Sequence, residues 1–185
     1  MSDTVYPVRN VLTNAGKALI TSSLESSKAV VFVYAKLGTG DDNVSKTVQQ
    51  LEALTALDEP ISRNATIKKK SVQGANNLVV SVQFQNKDTA TSNPVDITTE
   101  IYITEIGVYA KLDGQNNSSA ILFSYMTFGS YPDLMLGTQT AIVQRVYDIP
   151  YVFSGASDAT VTISGAALIT EEDVITNASS GGSSL

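Results

Sequence analysis

Ala29-Val30-Val31-Phe32-Val33-Tyr34-Ala35-Lys36-Leu37, followed at once by Gly38-Thr39-Gly40-Asp41-Asp42-Asn43, decides the reading of this chain. Val30 to Tyr34 are all β-branched or aromatic, the residue types that suit a pleated, packed surface. Apolar side chains occupy both alternating positions, which predicts a strand buried on both faces. The glycines, aspartates and asparagine that follow predict an abrupt turn.

Upstream, Thr13 to Leu24 reads as a short helix. Thr13 is a capping residue, and Leu12 is placed to fold back on the first turn. Ala15, Ala18 and Leu19 form its apolar face, and Gly16 weakens it. Downstream, Val48, Leu51 and Leu54, extended by Leu57, predict a second helix over Thr47 to Leu57, with Pro60 beyond its end.

After Pro60 the period changes from helical to two. Ile61, Arg63, Ala65 and Ile67 alternate with polar partners, as do Leu78, Val80, Val82 and Phe84. Gln73 to Asn77 reads as the hairpin loop between them, and Asn86 to Pro94 as a polar loop. Further strands are expected over Ile97–Lys111, with a bulge or bend at Gly107, over Ala120–Phe128, and over Thr140–Phe153. Pro150 marks the last of these as an edge or a break. Asp113-Gly114 is the turn between the first two, and Ala159–Ala166 is a final strand. The Ser/Gly-rich residues 177–185 have linker composition. The expected fold is mainly β, an antiparallel β-sandwich with two short helices near the N-terminus. Residues 1–176 read as one domain and 177–185 as a flexible tail.

Composition narrows the chemistry. The chain has 185 residues, 43% hydrophobic and 16% charged, enough for one well-packed core. Its net charge of −6 opposes binding to a phosphate backbone. It contains no histidine, cysteine or tryptophan. Missing histidine removes the commonest general base and transition-metal ligand, and missing cysteine removes thiolate chemistry. No signal segment or membrane-spanning apolar run is apparent, so a soluble protein assembled in a cytoplasm is expected. No cofactor, nucleic-acid partner or membrane partner is expected.

Two motifs carry a resemblance. The first is Leu12-Thr13-Asn14-Ala15-Gly16-Lys17-Ala18-Leu19-Ile20 with the later Gly38-Thr39-Gly40. The second is Ile103-Thr104-Glu105-Ile106-Gly107-Val108-Tyr109-Ala110-Lys111-Leu112-Asp113-Gly114, followed by Leu122-Phe123-Ser124-Tyr125. Together they resemble the N-terminal domain of phage tail-collar fibre proteins. That family opens with a "T-x-A-G-x-A-L-I" helix, and an "E-I-G-V/L-Y/F-A" strand with a "D-G" turn lies mid-domain. Thr13, Ala15, Gly16, Leu19, Gly38, Gly40, Glu105, Ile106, Gly107, Tyr109, Asp113 and Gly114 are the matching positions, in order, across residues 9 to 165. The resemblance implies a virion component, a baseplate or tail-fibre attachment protein that connects the tail to receptor-binding elements. It also implies a homotrimer whose partners are other tail proteins and a fibre. The chain runs to Leu185 without a fibre shaft, so an attachment domain standing alone, or the compact baseplate component of a short-fibred particle, is expected.

Other readings stay open. A stand-alone receptor- or carbohydrate-binding module needs exposed rings, for which Tyr102, Tyr109, Tyr125, Tyr131, Tyr147 and Tyr151 are candidates, although most are expected in the core. A hydrolase needs converging carboxylates, such as Glu100 or Glu105 with Asp148. Against that, Glu105 reads as an outward-facing or hydrogen-bonded strand carboxylate. The Gly38–Asn43 run reads as a plain turn rather than a cation loop, since the ligand spacing of known loops is missing. Lys68-Lys69-Lys70 reads as solvated edge protection, because alternate strand residues leave on opposite faces. The helical face around Ala15 and Leu19 and the Val48/Leu51/Leu54 stripe are candidates either for a subunit interface or for packing on the chain's own sheet.

Overall fold

The computed structural model describes residues 4–72, 77–89 and 92–152. These form β1 (Arg9–Leu12), α1 (Asn14–Ser26), β2 (Val30–Gly38), α2 (Val48–Glu52), β3 (Thr66–Val72), β4 (Asn77–Gln85), β5 (Ile101–Ile103), β6 (Glu105–Leu112), β7 (Ile121–Thr127), β8 (Asp133–Met135) and β9 (Gln144–Val152). The fold is mainly β with antiparallel sheets and two helices. One sheet has the order β1-β7-β6-β2 and a second β3-β4-β9; β5 and β8 form a two-stranded ribbon. The first two face each other across one core. Val30, Phe32, Leu37, Ile106 and Val108 come from one side, and Leu78, Val80, Val82, Phe84 and Ile149 from the other. Fully burying a side chain of this size contributes roughly 1.5–3 kcal/mol. The sheets also touch at their margins. Ala35 and Ala65 exchange backbone hydrogen bonds of 3.2 and 2.8 Å, and Asn10 donates to the Pro150 carbonyl at 2.8 Å.

The deciding strand is correct in position but not in its two buried faces. The pairing of β2 with β6 shifts register between Phe32 and Tyr34. The extra residue, Val33, reverses the alternation, so Val30, Phe32, Ala35 and Leu37 share the core face. Val31, Val33 and Tyr34 are only half-buried. A continuous apolar run was therefore the signature of a bulge, not of double burial. A second shift, between Val108 and Tyr109 of β6, leaves Phe123 of β7 as the extra residue. It places Leu122 and Tyr125 on the outer face although they are three apart, while Phe123 enters the core. There Phe123 meets Phe32 edge-on at 5.1 Å and Tyr151 at 5.8 Å.

Other boundaries move for identifiable reasons. The strand expected over Ile97–Lys111 is broken at Thr104, not bent at Gly107. Thr104 sends its N–H and hydroxyl to the Gly38 carbonyl and its hydroxyl also to the Gly40 carbonyl. This splits β5 from β6 and assigns them to different sheets. The helix expected over Thr47–Leu57 is only Val48–Glu52, opened by a Thr47/Gln50 capping box. The alternating run from Ile61 becomes a strand only at Thr66. Before that it touches the edge of β2 at the isolated bridges Gly38↔Pro60 and Ala35↔Ala65. β9 begins at Gln144 rather than Thr140, and Pro150 sits in a sheet-edge strand as its missing N–H requires. The expected strand Ala159–Ala166, the hairpin-loop residues 73–76 and the 177–185 segment lie outside the described residues. β1 and β8 were not anticipated; they are four and three residues long.

Candidate functional site

The two helices sit at the first sheet. α1 is capped by Thr13, whose hydroxyl oxygen accepts from Gly16 N–H at 2.9 Å, and whose own N–H donates to the Phe123 carbonyl at 3.0 Å. Gly16 is the buried residue of α1 and lies directly on the Phe123 carbonyl, where a side chain would collide. Leu19 and Ile20 reach the main core, whereas Ala18 is exposed. The buried stripe is thus Gly16, Leu19 and Ile20, not Ala15, Ala18 and Leu19. The outer face of the sheet carries a second apolar cluster of Val11, Leu51, Leu57, Leu122 and Tyr125, with Leu54 and Tyr109 against it. Val48 faces solvent. The segment from Thr39 to Pro60, including α2, therefore lies as a strap over that outer face.

Glu105 holds the strap. Pairing places Arg9, Thr127, Glu105 and Gly38 in one row across β1, β7, β6 and β2. The Glu105 side chain leaves this row under the strap with no solvent exposure. Its Oε1 accepts from Glu59 N–H at 3.0 Å. Its Oε2 accepts from Asp58 N–H at 3.2 Å, Asn43 Nδ2 at 3.3 Å and the Tyr125 hydroxyl at 2.7 Å. Both ends of the strap thus converge on one carboxylate. Removing a carboxylate from water costs several kcal/mol, and hydrogen bonds to a charged group each return about 1.5–3 kcal/mol. Burial, and then the bond to the Glu105 carboxylate, push the Tyr125 phenol well above its ordinary value. Tyr109, stacked on Tyr34 at 4.8 Å, is pushed up to about 12, first by desolvation and then by the charges of Tyr34 and Glu105.

The remaining motif positions clear space around this pin. A side chain at Gly38 would overlap the Glu105 carboxylate, and one at Gly107 would overlap Leu57 Cδ1 and Leu122 Cδ1. Gly40 abuts Asp58, whose carboxylate accepts from Asp42 N–H at 3.2 Å. Ile106 fills the main core on the opposite face. Asp113 and Gly114 lie apart from the pin at the far end of β6. There Asp113 N–H donates to the Ala29 carbonyl at 2.8 Å, and Gly114 takes a φ of +81°, a left-handed value that glycine adopts without strain. Ala15 is half-buried on α1 and makes no part of the pin.

The carboxylates considered for hydrolysis do not meet. Asp148 lies on β9 in the second sheet and accepts from the Ser81 hydroxyl, while Glu100 is exposed. Among the described residues, no group of three or more His, Cys, Asp or Glu is placed to hold a metal. Of the six tyrosines, Tyr125 and Tyr151 are buried, Tyr109 and Tyr147 are half-buried, and Tyr102 and Tyr131 are 53% and 62% exposed. Lys68 lies on edge strand β3, at a polar cleft it shares with Arg63, Gln83, Gln85 and Lys87.

One organising residue escaped sequence reasoning. Asn86, fully buried, donates to the Leu136 and Ala141 carbonyls at 2.8 and 2.7 Å and accepts from Val143 N–H at 2.9 Å. It ties the end of β4 to the β8–β9 connection. Its place among polar loop residues gave no local signal. Comparison of the chain with family models, curated proteins and solved structures returns no match.

Proposed function

We propose that this chain is a structural component of a phage tail or phage-tail-like particle, a baseplate or fibre-attachment module that acts by presenting a rigid surface. The observation that carries this reading is the convergence of the family-like positions on mechanical roles. Gly38, Gly40, Glu105 and Gly107 all serve to clamp the strap onto the sheet, and Thr13 and Gly16 seat α1 on β7. Glu105 accepts from four donors of its own chain and is shut off from solvent, which suits a group that acts within the fold rather than on an external substrate. In this reading the particle-bound form is a homotrimer, and its partners are neighbouring tail proteins and a fibre. An antibody raised against the chain should decorate one end of purified tail particles in negative-stain micrographs. Particles that carry no such label, from a host expressing the chain, would rule the assignment out.

A stand-alone receptor- or carbohydrate-binding module is the second reading. Exposed Tyr102 and Tyr131 favour it, since each offers a ring face to solvent. It requires the isolated chain to be retained on cell-wall polysaccharide, and that retention to fall in Tyr102→Ala and Tyr131→Ala.

A further inference from the structure

Lys46 and Asn43 lie within the strap beside Glu105, and their arrangement exceeds what anchoring requires. Lys46 Nζ donates to Asn43 Oδ1, while Asn43 Nδ2 donates to Glu105 Oε2 at 3.3 Å. Asn43 is 2% exposed and Glu105 fully buried. The amide can face only one way, because an ammonium has no acceptor and an ionised carboxylate has no donor. An amine therefore sits on the carbonyl side of a buried carboxamide, with a carboxylate on its nitrogen side. We propose that Lys46 and Asn43 join through an intramolecular isopeptide bond, with Glu105 as the catalytic acid–base.

The backbone holds the reacting groups in place. Val44 N–H donates to the Asp41 carbonyl at 3.0 Å and Lys46 N–H to the Asn43 carbonyl at 3.3 Å, which closes the turn. From β1, the Arg9 guanidinium grips the Val44 and Lys46 carbonyls at 2.7 and 2.6 Å. Such positioning supplies the entropic part of an intramolecular reaction. Lys46 is half-buried, so its ammonium can release a proton to solvent. The neutral Nζ attacks Asn43 Cγ, and the carbonyl electron pair moves to Oδ1. Both nitrogens then share one carbon, so the carboxylate already bonded to Nδ2 reaches both. Glu105 takes a proton from Nζ and passes it to Nδ2. The Cγ–Nδ2 bond breaks, the carbonyl re-forms, and ammonia leaves. Glu105 ends in the protonation state in which it began, having given up the Asn43 Nδ2 donor, and no oxidant or cofactor is consumed. The product fixes the strap's first turn covalently, an advantage for a part that bears load.

Intact-mass measurement of the purified full-length chain tests this. The expected mass is lower than the sequence mass by one ammonia. Trypsin should also fail to cut after Lys46, so that residues 37–63 emerge as one linked peptide. Lys46→Arg keeps the positive charge and the donor to Asn43 and should restore the full mass with an unchanged circular dichroism spectrum. A folded Glu105→Gln chain should also show full mass. The proposal is overturned if the wild-type chain carries its full mass and is cleaved after Lys46, or if the ammonia loss persists in Lys46→Arg. Persistence of the link in folded Glu105→Gln would overturn the role given to Glu105.

Discussion

Replacing Glu105 with alanine should be among the most damaging single changes in the chain. The substitution strands four donors in a space without solvent: Asn43 Nδ2, Asp58 N–H, Glu59 N–H and the Tyr125 hydroxyl. A buried donor left unsatisfied costs about 1–3 kcal/mol, so four would cost roughly 4–12 kcal/mol if nothing moved. Two effects reduce this. The buried charge disappears with its own desolvation penalty, and the strap can lift enough to admit water. A net loss of about 3–5 kcal/mol is the result, a large part of the roughly 5–15 kcal/mol by which domains are stable. Tyr125→Phe is the internal control. It removes one of the four donors and leaves the carboxylate three, so about 1–2 kcal/mol is expected. Urea unfolding followed by circular dichroism and tyrosine fluorescence measures both, since the chain has no tryptophan to dominate the emission. Native-state hydrogen exchange adds a local reading, with the Asp58 and Glu59 amides losing protection first. A Glu105→Ala chain within 1 kcal/mol of wild type, or one whose Asp58 and Glu59 amides stay protected, would show that the carboxylate does not hold the strap.

Three further outcomes follow from the same geometry. Gly107→Ala drives a methyl into Leu57 Cδ1 and Leu122 Cδ1; the expected loss is about 1–3 kcal/mol by overpacking, and Leu57→Ala in the same chain should recover part of it in urea unfolding. Asn86→Ala removes three side-chain hydrogen bonds at the β8–β9 connection; about 2–4 kcal/mol is expected, with exchange protection lost first at Val143. The Tyr109 phenol is raised to about 12 in the folded chain against about 10 unfolded. The folded state therefore favours the protonated form, and that contribution is complete below pH ~10 and lost as pH rises toward ~12. The phenols of Tyr125, Tyr147 and Tyr151 are raised as well, so stability should fall across the alkaline range. Spectrophotometric titration that found all tyrosines ionising together near pH ~10 in the native state would contradict this.

Much of the architecture could be read locally, because it depends on short-range stereochemistry. Thr13 caps α1 with its own hydroxyl, Thr47 and Gln50 cap α2 reciprocally, and Gly114 takes the left-handed turn after Asp113. Each device needs only a few neighbouring residues. Alternation identified β4 from Leu78, Val80, Val82 and Phe84, all now in the core, and β7 was foreseen within a residue at either end. The short strands β1 and β8 were missed because three or four residues cannot establish a period of two.

Sequence by itself determined that the chain is β-rich and where β2, β4, β7 and both helices begin, and it read Glu105 as an outward-facing or hydrogen-bonded strand carboxylate. Tertiary structure alone decided which face each apolar residue occupies, because the bulges at Val33 and Phe123 reverse the alternation and depend on the partner strand. It also decided what Glu105 binds. Its donors are 62, 47, 46 and 20 residues away along the chain, and no local rule specifies which backbone amides will arrive beside a given carboxylate. The glycines at 38 and 107 looked like turn or bend signals, but they are gaps left for side chains from distant segments. Local patterns report what a residue can do alone, while close approach is a property of two segments that meet only after folding.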